Sequence, residues 1–177
     1  MKPGGRRSVR CSRWDYTSPG AYYITLNTHR FQPIFARTVG RAKCLTVRGI
    51  LATACWLAIP SHFAHVRLDE FTVMPTHFHG VLVLIEGPRW FGLDPTWVEP
   101  EPREARLVSG SIGAIVGSYK SAVTRLVHRV APDEATRVAP VWQRGYHDRI
   151  IRDEREFDAK RRYTINNWDR WVDAHLR

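Results

Sequence analysis

Cysteine is scarce, at three residues in 177, and Cys11, Cys44 and Cys55 are odd in number, widely spaced and without a C-x-x-C pair. Nothing in that pattern points to a disulfide framework or to thiolate zinc or redox work, and the three read as reduced and mostly structural. Long apolar runs are also lacking: no stretch approaches the roughly 18 residues of a membrane span, and the N-terminus from Met1 to Arg13 has no apolar signal-peptide core. A cytoplasmic protein is expected. No internal repeat is present, which argues against solenoids and propellers. Acidic residues are in deficit, with 17 Asp+Glu against 27 Lys+Arg and a formal net charge of +10. A polyanionic partner follows from that balance, nucleic acid first, against the plainer alternative of a soluble basic protein.

The length suits one domain with a core that needs no staples. Residues 1–13 carry Arg6, Arg7, Arg10 and Arg13 around Gly4-Gly5, and are expected to form a flexible arm, disordered in the free protein or following a phosphate backbone. Alternation over Ala21 to Asn27, after the turn signal Ser18-Pro19-Gly20, predicts a strand. Leu51, Ala54, Cys55 and Ala58 predict a helix between Arg41 and Ile59, closed by Pro60. Val66 to Val73 and Phe78 to Ile85 read as strands of a hairpin joined at Pro75-Thr76. Glu86 to Arg106 holds four prolines and several glutamates and reads as an exposed loop. Ile112, Ile115, Val116, Tyr119, Val123, Leu126, Val127 and Val130 mark one face of a long helix. Val141 to Gln143 and Arg149 to Ile151 suggest a further strand region, and Asp153 with Glu156 signals the start of a last helix. An α+β sandwich with helices on one face of an antiparallel sheet is the predicted class.

His77 and His79 flank Phe78 at the mouth of the apolar run Val81 to Ile85. Residues two apart on a strand share a face, with Cα atoms roughly 6.6 to 6.8 Å apart, so two imidazoles can grip one ion from rigid backbone. On a helix, Tyr163 and Asn167 would share a face four residues apart. Two histidines, an amide and a tyrosine suffice for metal-assisted attack on a phosphodiester. Isolated strand histidines are more often ordinary core or surface residues, and Asn166 and Asn167 read equally as a helix-ending pair. Of six tyrosines, Tyr22, Tyr23 and Tyr119 sit in apolar patterns, while Tyr146, in R-G-Y-H-D, rivals Tyr163 as a nucleophile.

Four segments in order, M-P-T-H-F-H-G-V-L-V-L (Met74 to Leu84), G-S-I-G-A-I-V-G-S-Y-K-S-A-V-T-R (Gly110 to Arg125), V-W-Q-R-G-Y-H-D-R-I-I-R-D-E (Val141 to Glu154) and R-Y-T-I-N-N-W (Arg162 to Trp168), resemble the REP-associated tyrosine transposases. These are single-strand DNA transposase relatives within the His-hydrophobic-His nuclease group. The likeness runs from Trp14 to Trp171, within a domain taken as 14–177. Thr76 stands where Asn commonly precedes the first histidine, and Trp168 where Pro commonly follows the asparagine.

The resemblance implies a ferredoxin-like sheet with a C-terminal catalytic helix that brings Tyr163 near the histidines. It implies a divalent metal, Mg²⁺ or Mn²⁺, on His77, His79 and Asn167, and attack by Tyr163 to give a 5′-phosphotyrosine and a free 3′-hydroxyl. Bond energy is retained, so strand transfer needs no ATP, and the chain has no G-x-x-x-x-G-K-[ST] phosphate loop. Lys120, Arg125 and Arg144 are candidate contacts to the DNA backbone, with Trp142 for base stacking. The expected partner is single-stranded or hairpin DNA, and the expected location cytoplasmic and nucleoid-associated. Because the sequence stops at Arg177, recognition is expected from the core, the arm or the Pro-rich loop. The alternative is a non-catalytic nucleic-acid-binding regulator with the same fold.

Overall fold

The computed structural model describes residues 14–85, 108–131 and 133–175. The predicted arm and Pro-rich loop lie outside the described residues. In chain order the elements are β1 (Gly20–Asn27), a 3-10 turn (His29–Phe31), β2 (Ala36–Val39), β3 (Ala42–Leu45), α1 (Val47–Leu57), α2 (Ile59–His62), β4 (Val66–Val73) and β5 (His77–Leu84). They continue with α3 (Ile112–Arg129), α4 (Glu134–Val138), β6 (His147–Ile151), α5 (Glu154–Ile165) and α6 (Asn167–His175).

Alternation gives each long strand two faces. On β1, Tyr22, Ile24 and Leu26 are completely buried on one side, while Tyr23 and Thr25 point to the other. On β5, Phe78, Leu82 and Leu84 join the first set, and His77, His79 and Val81 the second. The strands pair antiparallel in the order β4-β5-β1-β6. With α1 between β1 and β4 and α3 between β5 and β6, this is the α+β layout read from the pattern, in the ferredoxin-like version that the resemblance implies. Helices α1 and α3 cover the first face with the main core, and α5 lies over the second.

The core is aromatic and closely packed. Trp56 of α1 sits 4.7 Å from Phe78 and 5.3 Å from Tyr119 of α3, whose hydroxyl donates to Ala52 O at 3.2 Å. Trp56 also lies directly on β5: a Cβ at Gly80 would come within 2.4 Å of the indole, so only glycine fits there. Gly49 plays the same part at the start of α1, where a Cβ would fall 2.0 Å from Phe35 O.

Four sequence expectations change. The helix predicted between Arg41 and Ile59 begins only at Val47, capped by Thr46, whose hydroxyl accepts from Gly49 N at 3.1 Å. Its first residues belong instead to the β2-β3 hairpin, which turns at Gly40 with φ 58°; strands of four residues are too short to show periodicity. The buried face of α1 is Gly49, Ala52 and Trp56, and Ala54 is exposed, because Trp56 supplies the anchor. Pro60 opens the short α2 near its N-terminus rather than ending α1, a position where its missing N–H costs nothing. The last helix is also shorter than expected: α5 starts at its Asp153 cap, as predicted, but ends at Ile165 with Asn166 as its C-cap, and Asn167 begins α6.

Gly80→Ala is expected to lower stability by about 1–3 kcal/mol through overpacking, and urea unfolding should show that loss shrinking in a Trp56→Leu background. Equal losses in both backgrounds would mean that the indole is not the obstacle.

Candidate active site

Residues His77 and His79 project from the β5 face opposite the main core, and α5 crosses over them. Each ring is held by a threonine: Thr25 Oγ1 lies 2.9 Å from His79 Nδ1, and Thr76 Oγ1 lies 3.0 Å from His77 Nδ1. With each Nδ1–H donating to its hydroxyl, both lone pairs sit on Nε2, the arrangement a metal-binding imidazole needs. Thr76, the departure noted in the sequence, thus orients a histidine.

The ring centroids of His77 and His79 are 4.7 Å apart and tilted by 69°. The two rings are thus neighbours on one face, and imidazole nitrogens are the donor type that divalent first-row ions take. Burial lowers the pKa of His77 to about 4, and burial with the nearby charges of His77 and Lys160 lowers that of His79 to about 3. Both rings are therefore neutral at pH 7, as ligands must be. Among the described residues no group of three or more His, Cys, Asp and Glu side chains converges to hold an ion.

Tyr163, in the last turn of α5, sets its ring edge-on to His79 at 5.7 Å and to Tyr23 at 6.3 Å. Tyr23 in turn stacks on His79 at 5.3 Å, and burial pushes its phenol far up, so it stays protonated. Tyr163 is 38% exposed, so its side chain is not sealed in the core. Helix α5 is held in this position by Arg161, whose Nε forms an ion pair with Asp69 Oδ1 of β4 at 2.9 Å, and by Glu156, which binds Arg149 of β6. Positive charge surrounds the site: Lys160 Nζ lies 4.7 Å from the Tyr23 ring centroid and the Arg170 guanidinium 5.5 Å from that of Tyr163.

Tyr146, the rival nucleophile, packs against the main core on the other side of the sheet. Asn167 is buried as the first residue of α6, so it is not on one continuous helix with Tyr163. Trp142 is only 8% exposed, wedged 4.9 Å from Phe35 and 5.8 Å from Tyr119, and its indole donates to Lys120 O. It packs with the main core. Lys120 donates to Gln143 O and Gly145 O at 2.8 and 2.7 Å, so its ammonium braces the loop before β6. Arg125 and Arg144 are exposed. The sequence reading missed Thr25, Lys43 and Lys160; the first is legible as the residue sharing Tyr23's strand face, while the two lysines depend on tertiary docking.

No family model matches the chain. Its sequence is 32% identical over 171 residues to an uncharacterized protein of Haemophilus influenzae, covering 97% of this chain and 92% of that one. Among solved structures it is similar to a REP-associated tyrosine transposase bound to a REP hairpin, with a TM-score of 0.56 and 15% identity over 90% of this chain and 72% of that one. The fold is that of the REP-associated tyrosine transposase. The chain itself belongs to one family with the Haemophilus influenzae protein.

The depressed histidine pKa values set a pH dependence for the metal-free protein. Each group binds protons more readily unfolded, near pH 6.5, than folded, so stability is full above 6.5 and falls as pH drops towards 4 and 3. Lowering the pH from 7 to 5 should cost about 1–2 kcal/mol per histidine, measured by urea unfolding. A His77→Gln/His79→Gln double variant should lose correspondingly less; an identical slope in the two proteins would remove the burial assignment.

Proposed function

We propose that the chain is a metal-dependent single-strand DNA nuclease and strand transferase of the transposase type, acting on hairpin-containing DNA, with Tyr163 as nucleophile and His77, His79 and Asn167 as metal ligands. The observation that carries the reading is the contact of Tyr163 with His79 on the same sheet face as His77. Support also comes from the net charge of +10 and from the fold it shares with a transposase bound to a DNA hairpin.

A Mg²⁺ or Mn²⁺ ion bound here would supply polarisation of a non-bridging phosphate oxygen. The protein's own groups do the rest. Neutral His77 and His79, fixed through Thr76 and Thr25, would present Nε2 lone pairs to the ion, and with Asn167 they would make an uncharged ligand set. Asn167, at the junction of α5 and α6, is the third ligand that the family resemblance implies. Tyr163 Oη attacks phosphorus: the new O–P bond makes a 5′-phosphotyrosine, the P–O3′ bond breaks, and the leaving oxygen takes a proton to become a 3′-hydroxyl. The phenol proton passes to water or to a base. Lys160 and Arg170 favour both the anionic substrate and the developing phenolate. Reversal on a second strand gives transfer. Arg125 and Arg144 remain candidates for backbone contact, in a single domain over 14–177 working on cytoplasmic, nucleoid DNA.

With labelled hairpin-containing single strands, Tyr163→Phe should abolish the covalent adduct while leaving binding within about twofold, and Tyr146→Phe should behave as wild type. His77→Ala and His79→Ala should each remove cleavage, chelator should stop it, and Mn²⁺ should work at lower concentration than Mg²⁺ because first-row ions favour imidazole. Undiminished adduct with Tyr163→Phe contradicts the nucleophile; binding without any adduct in the wild type returns the non-catalytic regulator.

A further inference from the structure

The β2-β3 hairpin, absent from the sequence reading, delivers a cation to the edge of this site. Lys43 of β3 donates from Nζ to Thr72 Oγ1 at 2.9 Å. Thr72 is the cross-strand partner of His79 on β4, so their side chains share a face with Cβ atoms about 4.5–5.5 Å apart. On its other side Lys43 Nζ lies 5.7 Å from the ring centroid of Trp168, the residue after Asn167. The hairpin that carries it is pinned to α6: Trp168 Nε1 donates to Arg41 O at 2.9 Å, and Arg41 pairs with Asp173 at 2.6 Å. Lys43 is thus held between a neighbour of His79 and a neighbour of Asn167.

Its charge is unusual for that position. Arg161, also near the site, is matched by Asp69. The partners of the Lys43 ammonium are a neutral hydroxyl, on a threonine 6% exposed, and an indole face, and among the described residues it has no ion pair. Packing against Thr72 and Trp168 lowers its pKa through partial desolvation. Lys43 is exposed, so its ammonium is within reach of an arriving anion, and among the described residues no carboxylate competes for it.

We propose that Lys43 binds the phosphodiester at this site, donating to a non-bridging phosphate oxygen beside the His77 and His79 rings. The proposal rests on the phosphodiester reading above, but contact with phosphate can be measured apart from catalysis. Affinity for a single-stranded hairpin oligonucleotide is measured in chelator across a range of salt concentrations, for wild type, Lys43→Gln, Lys43→Arg and the α3 control Arg129→Gln. Lys43→Gln keeps a hydrogen-bond donor for Thr72 and removes the charge.

The log–log salt slope should fall by about 0.7 for Lys43→Gln, the loss of one phosphate contact on a single strand, with Lys43→Arg and Arg129→Gln close to wild type. With Mn²⁺ present, Lys43→Gln should slow adduct formation at least tenfold while its melting temperature stays within about 3 °C of wild type. A slope and an adduct rate both equal to wild type overturn the proposal and leave Lys43 as a tie between hairpin and sheet. A reduced slope with no adduct from the wild type keeps the phosphate contact and overturns the nuclease reading instead.

Discussion

Trp56 pressed against the backbone of Gly80 is the contact on which the rest of the molecule depends. Gly80 follows His79, and the indole lies so close to it that no side chain could intervene. Alternation then sends Phe78 and Leu82 into the layer beneath α1 and α3, and His77 and His79 out of the opposite face. An aromatic core built on one side of a sheet thereby gives a rigid footing to polar chemistry on the other. The precision of the site comes from strand backbone rather than loops, which is the kind of support a preorganised centre requires.

The second face is organised by electrostatics. Tyr23, Thr25 and α5 shield the histidines from water, which keeps them neutral, and Lys160 adds to that pressure by disfavouring a further positive charge. The same cations that suppress histidine protonation suit an anionic substrate. Ion pairs away from the reacting groups, Arg161 with Asp69 and Arg149 with Glu156, hold α5 down without consuming the charge that faces the site. Thr76 orients His77, and Trp168 pins the hairpin that presents Lys43.

Much of this was legible in the sequence where periodicity is long. Eight-residue strands and the 18-residue α3 announced themselves, and the His-x-His spacing guaranteed a shared face. The Asp153 cap was also readable, since its carboxylate receives Glu156 N at 2.7 Å. What was hidden was short or tertiary. Four-residue strands β2 and β3 have no measurable period, the break between Ile165 and Asn167 carries no proline or glycine, and Trp142 looks the same in sequence whether it stacks on a base or on Phe35. Lys43 reads as one more surface lysine until the hairpin docks on α6.

Tyr163, beside the histidine pair, is the proposed source of the oxygen that joins the protein to DNA. Mapping the attachment site tests it most directly: the protein is incubated with a hairpin-containing single strand and Mn²⁺, digested with nuclease and trypsin, and the nucleotide-bearing peptide is sequenced by mass spectrometry. The account requires the added phosphate on the peptide from Tyr163 to Arg170. Attachment on the peptide from Gly145 to Arg149, which holds Tyr146, would contradict it.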